Sequence, residues 1–149
     1  MHTITIAHED NARLRMLLLL TPYNPRLMYE VALLKSELDR AIVVPADCLP
    51  ATTIRIGSSF VYEDLASGAA GVFTLCLPHQ EQSVENSLSV LSRLGIAVLG
   101  RTAGTIISWA GMPAAQQTLI RSVTPPARVR RRRSGPPRRR PAVRATVAT

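Results

Sequence analysis

Apolar positions along this chain repeat with a helical spacing up to about residue 44 and alternate as in strands beyond residue 51. After the short apolar start TITIA (3–7), the segment EDNARLRMLLLL (9–20) carries an apolar face at Leu14, Leu17 and Leu18. Acidic and amide residues stand ahead of that face, where they can cap a short helix. In TPYNPRLMYEVALLKSELDRAIVV (21–44), Asn24 is placed as an N-cap and Pro25 at the first helical position. Leu27, Val31, Leu34, Leu38 and Ala41 follow at alternating steps of four and three, the spacing of a coiled-coil seam. Two helices joined by the turn TPYN are expected to pack antiparallel as a hairpin ending near Pro45; the alternative is that the second helix lies on the domain that follows.

From Ala51 onward short β-type runs take over: TTIRIG, SSFVYEDL, AGVFTLCLP, LSVLS, TIISWAG and QQTLIRSV. Phe60 and Tyr62 fall on one face of a strand, and ASGAAG (66–71) reads as a hairpin loop. One segment breaks the alternation. RLGIAVLG is apolar at Leu94, Ala97 and Val98, as a short helix requires, with Gly100 suited to a left-handed C-terminal cap and Gly104 to the next turn. The expected fold class is α+β. It consists of a short N-terminal antiparallel helical hairpin (1–46), an antiparallel sheet with one short helix (51–123) and a C-terminal tail (124–149).

Composition changes this picture in one respect. The chain has 149 residues and a formal net charge of +8, but all ten acidic residues lie between Glu9 and Glu85, and nine of the eighteen basic residues are arginines between Arg128 and Arg144. Residues 1–127 hold nine basic against ten acidic groups, so the basicity belongs to the tail. The longest purely apolar run, MLLLL (16–20), is far short of the roughly 18 residues that span a bilayer, and the chain reads as a soluble cytoplasmic monomer with no membrane partner. Cys48 and Cys76 form no CxxC pair and are expected to be free, buried thiols. The spacing of Cys76 and His79 could chelate a metal, yet no second pair completes a site, so neither metal nor cofactor is expected.

ENSLSVLSRLGIAVLGRTAGTIISW (85–109) resembles the strand, Ser-Pro turn and helix of the C-terminal domain of the Gre transcript-cleavage factors and of their short relatives, the regulators of nucleoside diphosphate kinase. SELDRAIVV followed by IRIGSSFVYEDL resembles the second helix and first strands of the latter, so the likeness covers roughly residues 3–123. The resemblance implies an FKBP-like fold for the sheet domain, docking on RNA polymerase at the rim of its secondary channel, and a hairpin directed toward that channel. In the cleavage factors the hairpin tip carries acidic residues that help hold a catalytic magnesium ion. Here no carboxylate occurs between Asp10 and Glu30, and the turn TPYNP offers no hard anionic oxygen. A first helix of roughly 11 residues would span about 16 Å, which suits a truncated hairpin. The resemblance places the polymerase contact at Leu91, Ser92, Arg93 and Arg101. Ser92-Arg93 stands where the family has Ser or Ala before Pro, and Thr105 where it has aspartate.

The tail ARVRRRRSGPPRRRPAVRATVAT has no acidic and no aromatic residue and is expected to be disordered. Arg130, Arg131, Arg132, Arg133, Arg138, Arg139 and Arg140 are candidate contacts to DNA or RNA phosphates, which guanidinium forks fit. Without aromatic residues the tail has no stacking platform for reading bases. A solvated tail with no selected role is the alternative. Three functions remain in view: a non-enzymatic RNA polymerase-binding regulator without transcript-cleavage stimulation, a nucleic-acid-binding protein acting through its tail, and a peptidyl-prolyl isomerase. The last would need convergent aromatic walls from Phe60, Tyr62, Phe73 and Trp109.

Overall fold

The structure, a computed structural model, describes residues 3–108 and 117–127. Its fold is mixed α+β. Strand β1 (Thr5–Ala7) leads directly into helix α1 (His8–Leu20), and a seven-residue connector brings the chain back through α2 (Met28–Arg40) to β2 (Ile42–Val44). Strands β1 and β2 pair in parallel, Ile6 opposite Val43, so the two ends of the hairpin are tied at its base. Thr21 closes α1 by donating both its backbone N–H (2.9 Å) and its hydroxyl (2.6 Å) to the Leu17 carbonyl. The expected start of the second helix moves by one turn: the Asn24 side chain accepts from Arg26 N and its carbonyl from Leu27 N, so Asn24 and Pro25 shape a tight turn ahead of α2. Leu34 and Leu38 of the predicted seam are buried, while Val31 and Ala41 are partly so.

The body is a five-stranded sheet in the order β5-β4-β3-β7-β6, formed by β3 (Ser59–Asp64), β4 (Ala70–Cys76), β5 (Ser87–Ser89), β6 (Ile106–Ile107) and β7 (Thr118–Thr124). The pairs β3/β4, β3/β7 and β6/β7 are antiparallel, as expected, and β5 joins β4 in parallel. β4 and β5 are joined by an irregular crossover (77–86), long enough to return the chain to the same end of the sheet. Short 3₁₀ turns at Ala46–Cys48 and Pro78–Gln80 complete the connections. Phe60 and Phe73 face each other across β3 and β4, and the Tyr62 ring stacks on Phe73 at 5.0 Å between centroids.

Three expectations are corrected. TTIRIG is no strand. Its Thr53 makes an isolated bridge to Thr102, and the segment turns at Gly57 (φ 90°), because the Ile54 and Gly57 backbones bond to Arg101 and Leu75 outside any ladder. Cys48 is exposed, since it ends a surface 3₁₀ turn, whereas Cys76 is buried as expected, and both are free thiols. The acidic residues at the start of α1 do not cap it: Ala7 is the N-cap, with no side-chain bond, and Asp10 points inward.

Asp10 joins hairpin to body. It is 1% exposed, accepts from Ile56 N at 3.2 Å, and lies 3.3 Å from Arg55 Nε. One apolar cluster runs through both parts, joining Ile4, Leu14, Leu34 and Leu38 to Ile54, Phe60, Val98, Leu99 and Ile120. The hairpin is thus seated on the sheet domain by the same burial that holds the domain together, at about 2 kcal/mol for each fully buried leucine. Its far end is different: Met16, Leu19, Leu20, Tyr23 and Met28 are all exposed, Leu19 by 80%. Among the described residues no helix is long and apolar enough to cross a membrane.

Candidate functional site

The helix α3 (Arg93–Val98) begins where the sequence reading placed the docking turn. Ser92 is its N-cap: Oγ accepts from Gly95 N at 3.0 Å and donates to the Ser89 carbonyl at 2.6 Å, so the hydroxyl fastens the helix to the end of β5. Gly95 is needed for that approach, because a Cβ there would stand 2.0 Å from the Ser89 carbonyl oxygen. Leu99 ends the helix, and Gly100 (φ 74°) turns the chain against Ile4 of the N-terminal segment. The expected left-handed cap at Gly100 is present, and Gly104, expected in the next turn, takes φ 89°.

The four sequence-predicted docking residues separate in this geometry. Leu91 is 7% exposed and belongs to the core cluster, so its side chain is withdrawn from the surface; the turn after β5 points it inward beside Val90. Ser92 is half-buried, with its hydroxyl engaged in the cap. Arg93 and Arg101 come together in a groove of about 310 Å³ between α2, α3 and β6. The arginines chosen in the tail, Arg130 to Arg133 and Arg138 to Arg140, lie outside the described residues, as does Trp109.

Sequence reasoning missed the other wall of the groove. Tyr29, Leu33 and Glu37 line it from α2, opposite Ile96 and Ala97 of α3 and Ile106 of β6. Their spacing of four marks a helical row adjacent to the buried seam, and that row was legible as a second face. Tyr29 carries the Arg93 guanidinium 5.0 Å from its ring centroid, and Arg93 Nε lies 3.5 Å from Glu30 Oε1. The hairpin therefore positions Arg93 directly, through one ring and one carboxylate. Glu37 pairs with Arg40 at 2.6 Å. Arg101 differs: among the described residues no carboxylate is within ion-pair distance of it, and its buried Nε has no hydrogen-bond partner.

Among the described residues the groove's lining holds no arrangement of nucleophile, base and orienting group, and no cluster of His, Cys, Asp and Glu that could hold a metal ion is found among them. Of the aromatic residues an isomerase pocket would need, Phe60 is core and Tyr62 and Phe73 stack on each other along the sheet, while Trp109 lies outside the described residues. The groove joins apolar side chains, Leu33, Ile96, Ala97 and Ile106, to the charged Arg93, Arg101 and Glu37.

No protein-family model matches the chain. Over 76 residues it is 32% identical to the regulator of nucleoside diphosphate kinase of Escherichia coli K12, and equally to that of Shigella flexneri. The matched stretch covers 51% of this chain and 56% of either relative, so the chain spans about half the length of the curated relatives it matches. A solved structure described as a prokaryotic transcription elongation factor GreA/GreB from Nitrosomonas europaea superimposes with a TM-score of 0.67 at 27% identity, covering 83% of this chain and 99% of that one. In fold the chain is similar to a GreA/GreB elongation factor, and over about half its length its sequence is similar to regulators of nucleoside diphosphate kinase.

Proposed function

We propose that the chain is a non-enzymatic, cytoplasmic regulator of transcription that docks on RNA polymerase through the edge formed by Arg93, Arg101 and the α2–α3 groove, and that it does not stimulate transcript cleavage. The observation that carries the reading is the pairing of a Gre-like docking turn, held by Ser92 and Gly95, with a hairpin end that is apolar where cleavage requires carboxylates. Magnesium needs hard oxygen ligands, and Leu19, Leu20 and Tyr23 supply none of the carboxylate kind. The relatives' names, a regulator and a transcription elongation factor, support the same class. In this reading the hairpin (1–46) and the Gre-type body (51–123) act as one docking unit, as a monomer, and the tail (124–149) is an addition. Given to a backtracked elongation complex in a preparation free of cleavage factors, the protein is expected to leave the transcript 3′ end uncut. Cleavage above the intrinsic rate of the polymerase would refute the assignment.

A second reading rests on the nine arginines between Arg128 and Arg144, which give the tail its own affinity for nucleic-acid phosphates. Removing residues 128–149 is expected to leave thermal stability almost unchanged, because the segment is rich in arginine and proline and has no aromatic residue with which to build a core. The same truncation should abolish most non-specific DNA binding. With about six arginines engaged, the logarithm of affinity for duplex DNA should fall with the logarithm of salt at a slope of roughly −5. Equal binding by full-length and truncated chains would remove the tail from the function.

A further inference from the structure

Arg101 is the one cation of the groove with no carboxylate in ion-pair range among the described residues, and its Nε is buried without a partner. A guanidinium with no carboxylate beside it lacks a counter-charge, and a carboxylate is the acceptor whose geometry matches a guanidinium fork. The second cation, Arg93, is already set against Glu30 and Tyr29, and Glu37 at the rim disfavours a multiply charged anion such as a phosphate. Around these charges the wall is apolar: Leu33, Ile96 and Ala97, with Ile106 half-exposed. β6, which carries Ile106, is the last strand of its sheet among the described residues and pairs there with β7, which sets an edge strand beside the groove, the kind of element on which an extended chain is received. About 310 Å³ holds a few side chains and excludes a folded element.

We propose that this groove receives an extended protein segment that sets a carboxylate side chain on Arg101 and an aliphatic side chain between Tyr29, Leu33 and Ile96. The inference deepens the docking reading and rests on it, in that the segment is part of the polymerase surface the groove meets. It makes the chain's docking edge an acid receptor: the positive charge lies on this protein and the negative charge on its partner.

The test uses full-length protein in two arms. In the first, binding to purified core polymerase is measured for the wild type, Arg101→Gln and Arg101→Lys. Arg101→Gln is expected to weaken binding at least about tenfold, the loss of a charge-assisted hydrogen bond, with Arg101→Lys in between. The melting temperature should not fall, since Nε has no internal partner to lose. In the second arm, a capped Leu-Glu dipeptide and its Leu-Gln counterpart are titrated into isotopically labelled protein. The acidic peptide alone should shift the Arg101 Nε–H resonance and the Ile96 and Ile106 methyl signals, and Arg101→Gln should abolish the response. Wild-type polymerase binding that Arg101→Gln leaves intact, or equal shifts from both peptides, overturns the inference while sparing the docking reading. Absence of wild-type polymerase binding refutes the docking reading instead, and the peptide arm then decides the groove's chemistry alone.

Discussion

Gly95→Ala is expected to destabilise the protein by about 3 kcal/mol or more, combining overpacking against backbone with loss of a helix cap. The Cβ would lie 2.0 Å from the Ser89 carbonyl oxygen and 2.9 Å from Ser92 Oγ, and the atom it meets first is main chain that cannot rotate away. That carbonyl accepts from both the Ser92 hydroxyl (2.6 Å) and the Ser92 N–H (3.1 Å), so displacing it undoes the turn that starts α3. Ser92→Ala, which removes only the cap, should cost about 1 kcal/mol. Thermal melting distinguishes the two: Gly95→Ala should lower Tm by at least about 10 °C, Ser92→Ala by less than about 8 °C. A Gly95→Ala protein that melts with the wild type would mean that β5 and α3 are not joined as described. Because Ile96 and Ala97 line the groove, the same substitution should also remove polymerase binding.

Asp10→Ala is the second large effect, a loss of about 3 kcal/mol at neutral pH, at the lower end for breaking a buried pair because the Arg55 side chain is 22% exposed. The substitution leaves Ile56 N–H and Arg55 without their acceptor in the seam between hairpin and body. Asp10→Asn, which keeps an oxygen for Ile56 N–H, should stay within about 1 kcal/mol of wild type. The pH dependence has a defined sign. Burial raises the Asp10 carboxyl above its ordinary value of 3.8, against the opposing pull of Arg55 and the Ile56 N–H. The folded state therefore holds this proton more tightly than the unfolded chain does. The part of the Asp10 contribution that is linked to this proton is fully present below 3.8 and is lost as pH rises through the folded value. The bonds to Ile56 N–H and Arg55 are what the alanine variant loses at neutral pH. Denaturant melts of wild type and Asp10→Asn across that window should differ in slope by this one group. A wild-type contribution that grows with pH would place Asp10 as a stabilised carboxylate instead.

The hairpin and the short helix were legible in the sequence because each rests on a local rule. The seam at Leu34 and Leu38 follows from spacing, and the end of α3 from a glycine at 100 that takes φ 74°. What escaped depends on contacts far apart in the chain. Asp10 looked like a helix-capping acid, and only the arrival of Arg55 and Ile56 from the body turns it into a buried cross-link. TTIRIG has the alternation of a strand, yet its backbone partners are Arg101 and Leu75, which no local pattern could announce. Arg93 and Arg101, expected at the edge from their place beside the helix, line one groove, whereas Leu91, expected beside them, is buried because the turn after β5 directs it inward. Tyr29, Leu33 and Glu37 form a helical row whose meaning depends on what packs opposite, and α3 lies some 60 residues further along.

Competition for core RNA polymerase against a Gre cleavage factor tests the account most directly. Full-length protein should displace the cleavage factor in a concentration-dependent way and suppress cleavage of a backtracked transcript. Arg93→Glu should displace it poorly, since the new carboxylate would face Glu30 in place of the present 3.5 Å pair and reverse the charge of the docking edge. Failure of the wild type to compete at high micromolar concentration, or competition that Arg93→Glu leaves unchanged, would contradict docking through this edge.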